Sequence, residues 1–371
     1  MNFSITKDVL LSTLQLLSKA TPKRSTLPVL SCALFTQNNK NLNIRTTDME
    51  LSISIVCEID GEGEGSLSIP LPKLLEITMA ISDEKIYFST SDIGKVVIKC
   101  EKGQYTIMGL SHDEFPAEQT IKEGTSLGIN GNELKKIIQN TSYAASRDDL
   151  KPVLQGVLFQ ISEKGFISVA TDGHRLVKFE KTDIKTDNYK GSVVVPTKFL
   201  ILLNQLIEEE KDISLTIGKN NIRVEIESGS IISKIITDPF PDYEGVIPQD
   251  NNKTLIIDKN SFEEAIKRVS IFSNKSSRQV ALNISENNII ITTEDPENIT
   301  SGKETLDCNY DGEPIVIGYN ASYLKEVLQH QHSNEIKILL NTPLNAGLFL
   351  PMEQTAGENK TTLLMPIRLN D

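Results

Sequence analysis

At 371 residues the chain has room for two or three domains, each large enough for its own core. Hydrophobic residues at 39% and charged residues at 24% exclude a disordered or membrane-embedded chain. Fifty acidic against 38 basic residues give a net charge of −12, which excludes holding nucleic acid by bulk positive charge. Polar residues interrupt the apolar run from Val9 to Leu17 and no basic segment precedes it, so it reads as an amphipathic helix rather than a signal sequence. No stretch approaches the length of a membrane span, and a cytoplasmic location is expected. Cys32, Cys57, Cys100 and Cys308 are scattered, which predicts buried free thiols in a reducing cytosol, with no metal and no cofactor.

The elements repeat in chain order. Each third opens on a short alternating strand: Phe3-Ser-Ile5, Leu127-Gly-Ile129 and Leu255-Ile-Ile257. A helix with apolar residues at helical spacing follows, over Lys7–Ala20, Asn132–Ala145 and Ser261–Phe272. A hairpin comes next, as in Val153–Ile161 with Phe166–Thr171, and its second strand ends at Asp48, Asp172 and Asp295. Ser68-Ile-Pro70, Val194-Val-Pro196 and Val316-Ile-Gly318 lead into second helices over Pro72–Ile81, Thr197–Ile207 and Ala321–His330. A second hairpin follows, such as Ile213–Ile217 with Ile222–Ile226 around Asn220-Asn221. Phe115-Pro116, Phe240-Pro241 and Met365-Pro366 close the three copies at intervals of 125. The fold class is therefore α+β: three tandem copies of a two-helix, antiparallel-sheet domain, at residues 1–122, 123–250 and 251–371.

Charge is distributed unevenly over these copies. Residues 7–24, 132–151 and 260–278, the first helix and loop of each copy, carry +3, +1 and +2, so the remainder carries −18. A basic face on the same element of each copy is an electrostatic footprint for phosphate, and ordinary solvated helix faces are the competing explanation.

Ala170-Thr-Asp-Gly-His-Arg-Leu176 is the most distinctive string. Asp172-Gly173 alone predicts a type I′ turn. A hydrolase would use His174 as general base beside Asp172, but no nucleophile motif accompanies them. Gly61-Glu-Gly-Glu-Gly65 lacks the Gly-Lys-Ser/Thr ending of a phosphate loop, and its glutamates would repel phosphate. His330 and His332 read as a solvated helix end, because two histidines alone do not complete a metal site. Pro366 interrupts the apolar Leu363–Leu369 run, so the tail is expected to leave its sheet.

The threefold repeat, the 170–176 string, Phe240-Pro-Asp-Tyr243 with Pro248, Thr26-Leu-Pro-Val-Leu30 and Met365-Pro-Ile-Arg-Leu369 together resemble the bacterial DNA sliding clamp, the β subunit of DNA polymerase III. The resemblance spans the whole chain. It implies the DNA clamp fold and a head-to-tail homodimer, closed as a six-domain ring around double-stranded DNA. That ring would be a non-catalytic processivity factor tethering the polymerase III catalytic subunit, the clamp loader and other clamp-motif proteins. Its partner-peptide pocket would use Leu154, Thr171, Gly173, His174, Arg175, Leu176, Pro241 and Val246, with Leu363, Leu364, Met365, Pro366 and Arg368 from the tail. Gly245 stands where the family often has a basic residue. The dimer contact would join Tyr105 and Ile107 to Ile271 and Phe272. Arg24 matches a DNA-facing position and Lys198 lies beside another, while Pro152 and Val153 replace aromatics and Thr197 an arginine. A clamp-like interaction scaffold that does not encircle DNA is the alternative.

Overall fold

A computed structural model describes residues 1–22, 24–91, 93–184 and 189–369. The chain divides into two compact units, residues 1–130 with 205–235 and residues 131–204 with 236–371, so strands of the middle third contribute to both.

The first unit holds two antiparallel sheets. One runs, in spatial order, Asp60–Gly61, Asn2–Thr6, Lys85–Thr90, Lys95–Lys99 and Gln104–Met108. The other has eight strands, in which Gly229–Lys234 pairs with Leu51–Glu58 in the register Gly229 to Ile55 and Ser233 to Leu51. The second unit has a nine-stranded sheet in which Arg175–Lys181 pairs with Glu358–Leu364, register Arg175 to Leu364. Its four-stranded sheet runs Thr300–Asp307, Asn288–Asp295, Gln279–Ser285 and Ile315–Asn320.

Among the described residues six helices pack on these sheets: α1 Lys7–Leu17, α2 Leu71–Ala80, α3 Gly131–Thr141, α4 Thr197–Leu206, α5 Lys259–Val269 and α6 Ala321–Gln329. The odd-numbered helices bury residues at helical spacing: Leu10, Leu14 and Leu17 in α1, Leu134, Ile137 and Ile138 in α3, Phe262, Ala265, Ile266 and Val269 in α5. Each is shorter than its sequence period, because its last turn tightens into a 3-10 turn at Ser18–Ala20, Ser142–Ala144 or Ser270–Phe272. The Ser18 and Ser270 hydroxyls donate to the carbonyls of Gln15 and Lys267, at 2.7 and 3.0 Å, which favours that closure.

Isolated bridges correct the alignment of the repeats. Ser68 pairs with Leu110, Val194 with Ile236, and Gly318 with Ile367. Gly318-Tyr-Asn320, not Val316-Ile-Gly318, therefore matches Ser68-Ile-Pro70. Met365 is the counterpart of Lys234 and Met108, so Met365-Pro366 is not a third copy of Phe115-Pro116 and Phe240-Pro241. Local sequence spacing missed this because the third copy carries different loop lengths.

Other expectations also change. Residues 152–155 form a 3-10 turn before the strand Gly156–Ser162. Cys32 and Cys57 are buried, but Cys100 and Cys308 are only half-buried. His330 is not a solvated end: its ring stacks on Tyr143 at 3.6 Å, Nδ1 lies 2.8 Å from the Glu326 carbonyl, and burial lowers its pKa. No helix among the described residues is long and apolar enough to cross a membrane.

Candidate functional site

The distinctive 170–176 string forms a tight turn between two strands of the nine-stranded sheet. It is not a type I′ turn, because Gly173 alone has a positive φ (91°). The Asp172 side chain builds it instead, its Oδ1 accepting from the amides of His174 (2.8 Å) and Arg175 (3.0 Å). Thr171 Oγ1 donates to the Arg175 carbonyl at 2.6 Å and accepts from the Gly173 amide at 3.1 Å. With the Asp172 carboxylate tied up in the turn and His174 stacked on Tyr323 (5.4 Å, 18°), nothing here resembles a general-base pair serving a nucleophile.

Strand alternation sorts the neighbouring residues onto two faces. Leu176, Leu363 and Leu348 stand in one row across three strands. With Leu158, Val169, Val194 and Ala346 they form an apolar floor that Tyr243 packs against. Segment 240–247 borders this floor: Phe240 and Ile247 pack on it, and the Tyr243 hydroxyl donates to Gln160 Oε1 at 2.6 Å. Burial and the adjacent Glu244 carboxylate push the Tyr243 phenol up to about 12. Val246, Leu344 and Met365 are exposed apolar groups on the neighbouring loops and tail. Leu154 and Thr171 are half-buried, while Gly173, His174 and Pro241 are exposed. Gly245 forms no cationic rim; its amide donates to Asp242 Oδ1 at 3.3 Å.

The tail leaves its strand after Leu364. The Met365 amide donates to the His174 carbonyl (2.8 Å) and the Ile367 amide to the Gly318 carbonyl (2.9 Å), which puts Pro366 between two anchors where no ladder bond is required of it. Arg368 is exposed beyond them.

Two of the expected groove residues face the other way. Leu364 is fully buried in the core formed with α5 and α6. Arg175, its cross-strand partner, is 6% exposed and forms an ion pair with Glu326 of α6. Its guanidinium also donates to the Tyr143 carbonyl at 2.9 Å, lies 3.4 Å from Asp172 Oδ2 and sits 5.0 Å from the Tyr323 ring centroid. Arg175 thus locks the turn to the helices instead of bordering the apolar floor. Tyr143, Tyr323 and Glu326 were not legible as site residues, since only the folded chain brings them to residues 172–175.

The remaining candidates lie elsewhere. Tyr105 (41% exposed) and the half-buried Ile107 belong to Gln104–Met108, an edge strand, while Ile271 (74%) and Phe272 (43%) follow α5. Gly302 sits under Phe272: a Cβ there would lie 3.1 Å from its ring. Arg24 and Lys198 are exposed, and Lys23 lies outside the described residues. Part of the helix basicity is already neutralised, with Lys136 paired to Glu358 at 2.5 Å and Arg268 forked onto Glu304 at 2.8 Å. Among the described residues no cluster of His, Cys, Asp or Glu could hold a metal ion.

Models of the N-terminal, central and C-terminal domains of the DNA polymerase III beta subunit match residues 1–119, 128–242 and 244–368. Proteins described as "Beta sliding clamp" from Pseudomonas putida and Vibrio cholerae are 28% and 29% identical, each comparison covering 100% of both chains. The structure of the DNA polymerase III subunit beta from Pseudomonas aeruginosa aligns with a TM-score of 0.90 at 27% identity, over 99% of this chain and 100% of that one. A Bartonella birtlesii sliding clamp solved bound to griselimycin aligns with a TM-score of 0.92 at 25% identity, over 100% of both chains.

Proposed function

Because the chain belongs to the DNA polymerase III beta subunit family and is a processivity clamp without catalytic activity of its own, we propose that two copies close head to tail around duplex DNA. Three clamp domains per copy, at 1–122, 123–250 and 251–371, would give a ring of six. The observation that carries this reading is a pair of unused strand edges. Within the chain, the closing strand of one repeat pairs with the fourth strand of the preceding repeat twice, as Gly229–Lys234 with Leu51–Glu58 and Glu358–Leu364 with Arg175–Lys181. The equivalent strands left over are Gln104–Met108 of the first repeat and Thr300–Asp307 of the third, each an edge of its sheet. An exposed edge is a template for another chain, and a head-to-tail contact that closes gives a ring. Carrying the internal register across sets Thr106 opposite Ser301 and Tyr105 opposite Gly302. The Tyr105 ring then falls beside Phe272, which supports the apolar seam of Tyr105, Ile107, Ile271 and Phe272.

In the same reading the groove beside residues 171–174 receives a short peptide of the polymerase catalytic subunit, the clamp loader or another clamp-motif protein. Its apolar floor suits one or two apolar anchors. The relative solved with griselimycin supports a ligand-binding clamp surface. Arg175 acts as a positioning residue, and Arg24 and Lys198 meet DNA phosphate.

The test is topological. Loaded onto a closed circular duplex by a clamp loader and ATP, the protein stays with the DNA through gel filtration and is released when the circle is cut. Protein retained on the linear product overturns linkage. Protein never retained on the intact circle favours the scaffold that does not encircle DNA.

A further inference from the structure

The His174 side and the Val246 side of the proposed docking groove differ in charge. At the His174 end stands Arg278, exposed and held at φ 48°, a left-handed conformation uncommon for a residue other than glycine. Its amide donates to the Asn274 carbonyl at 2.8 Å, and its carbonyl accepts from the Ala321 amide at 2.8 Å. Its guanidinium bonds the Ser322 hydroxyl at 2.9 Å, one residue before the Tyr323 ring on which His174 stacks. Lys151 approaches the same end from another loop, its Nζ 3.9 Å from where a Gly173 Cβ would sit. Among the described residues neither cation has a carboxylate partner. The acidic groups nearby are engaged: Asp172 and Glu326 by Arg175, Asp148 Oδ1 by the Leu150 amide and Asp149 by the Gln155 side chain. At the Val246 end the exposed groups are Asp242 and Glu244, and among the described residues no lysine or arginine pairs with either.

We propose that the groove reads the charge polarity of its peptide, taking an acidic side chain at the flank that meets Arg278 and Lys151 and disfavouring one at the flank beside Asp242 and Glu244. This rests on the groove being the partner-docking site. Unpaired rim charges of opposite sign at the two ends contribute little to the affinity of a neutral peptide but reject the reversed arrangement. Arg278 is then a specificity-determining residue. The guanidinium, steadied by Ser322, offers its remaining donors to a carboxylate in a charge-assisted hydrogen bond.

The test is fluorescence anisotropy with the full chain and a labelled peptide from the polymerase's clamp-binding segment. The peptide keeps its apolar anchors and carries Gln, Glu or Lys at each flank in turn. One flank is expected to prefer Glu over Lys by about fivefold at low salt and the other to prefer Lys, both preferences shrinking at high ionic strength. Arg278→Asn, which tolerates the left-handed backbone, and Lys151→Gln abolish the Glu preference at the one flank. Neither variant changes affinity for the all-Gln peptide, which also verifies that it is folded. Equal binding of Glu and Lys versions at both flanks overturns the polarity while leaving the groove in place. Failure of every version to bind the unaltered chain overturns the groove itself.

Discussion

At the residue scale, Lys360 is a group whose behaviour follows from burial alone. Its side chain is sequestered between α3 and α6, with Nζ donating to Asn140 Oδ1 at 2.8 Å and to the His330 carbonyl. Glu358, two residues earlier, is already shared by Lys136 and Lys181, and Lys181 also pairs with Glu133. Burial without a counter-ion lowers the Lys360 pKa from its ordinary 10.5 to about 8. Between pH 8 and 10.5 the unfolded chain holds a proton that the folded chain has released, so this group's contribution to stability rises with pH across that window. Lys360→Met removes the effect. The unaltered chain is expected to gain on the variant by about 1 to 2 kcal/mol between pH 7.5 and 9.5, read from denaturant midpoints at each pH. A pH-independent difference contradicts a lysine titrating there.

At the element scale, the tail divides sharply at Leu364. Leu363 and Leu364 are 3% and 0% exposed and serve opposite faces of one strand, so a cut after Thr362 would unseat both cores. A cut after Leu364 removes only Met365 onward, together with the amides held by His174 and Gly318. That truncation is expected to weaken peptide binding about tenfold or more and leave the oligomeric state unchanged, by anisotropy and sedimentation. Undiminished peptide affinity removes the tail from the groove. The strand itself was legible from its apolar run. Which leucine faces which core was not, because alternation defines two faces without saying what covers each.

At the scale of the whole molecule, net charge is a poor guide to a protein retained by linkage. The −12 total argues against adsorption to DNA, and the structure trims the basic helices further by pairing Lys136 and Arg268 with carboxylates outside them. Such a surface suits a ring that slides, because each phosphate contact it lacks is one fewer to break. The same scale carries the seam prediction. Cysteines at Thr106 and Ser301 are expected to crosslink under mild oxidation into covalent dimers, whereas Thr106 with Lys303 crosslinks far less. Equal yields from both pairs refute the carried-over register. Ile271→Asp with Phe272→Asp should give monomers in sedimentation, since two carboxylates would be desolvated at each seam.

The sequence by itself determined the threefold repeat, the six helices, most strands and the family, since helical and alternating periods are local properties of the chain. Tertiary structure decided what depends on distant partners: that Arg175 and Leu364 turn away from the apolar floor, that Met365 is the repeat counterpart of Lys234 and not of Phe240, that Lys360 is buried, and that Lys136 and Arg268 are neutralised. Cross-strand register and ion pairing join residues tens to hundreds of positions apart, so no local pattern encodes them.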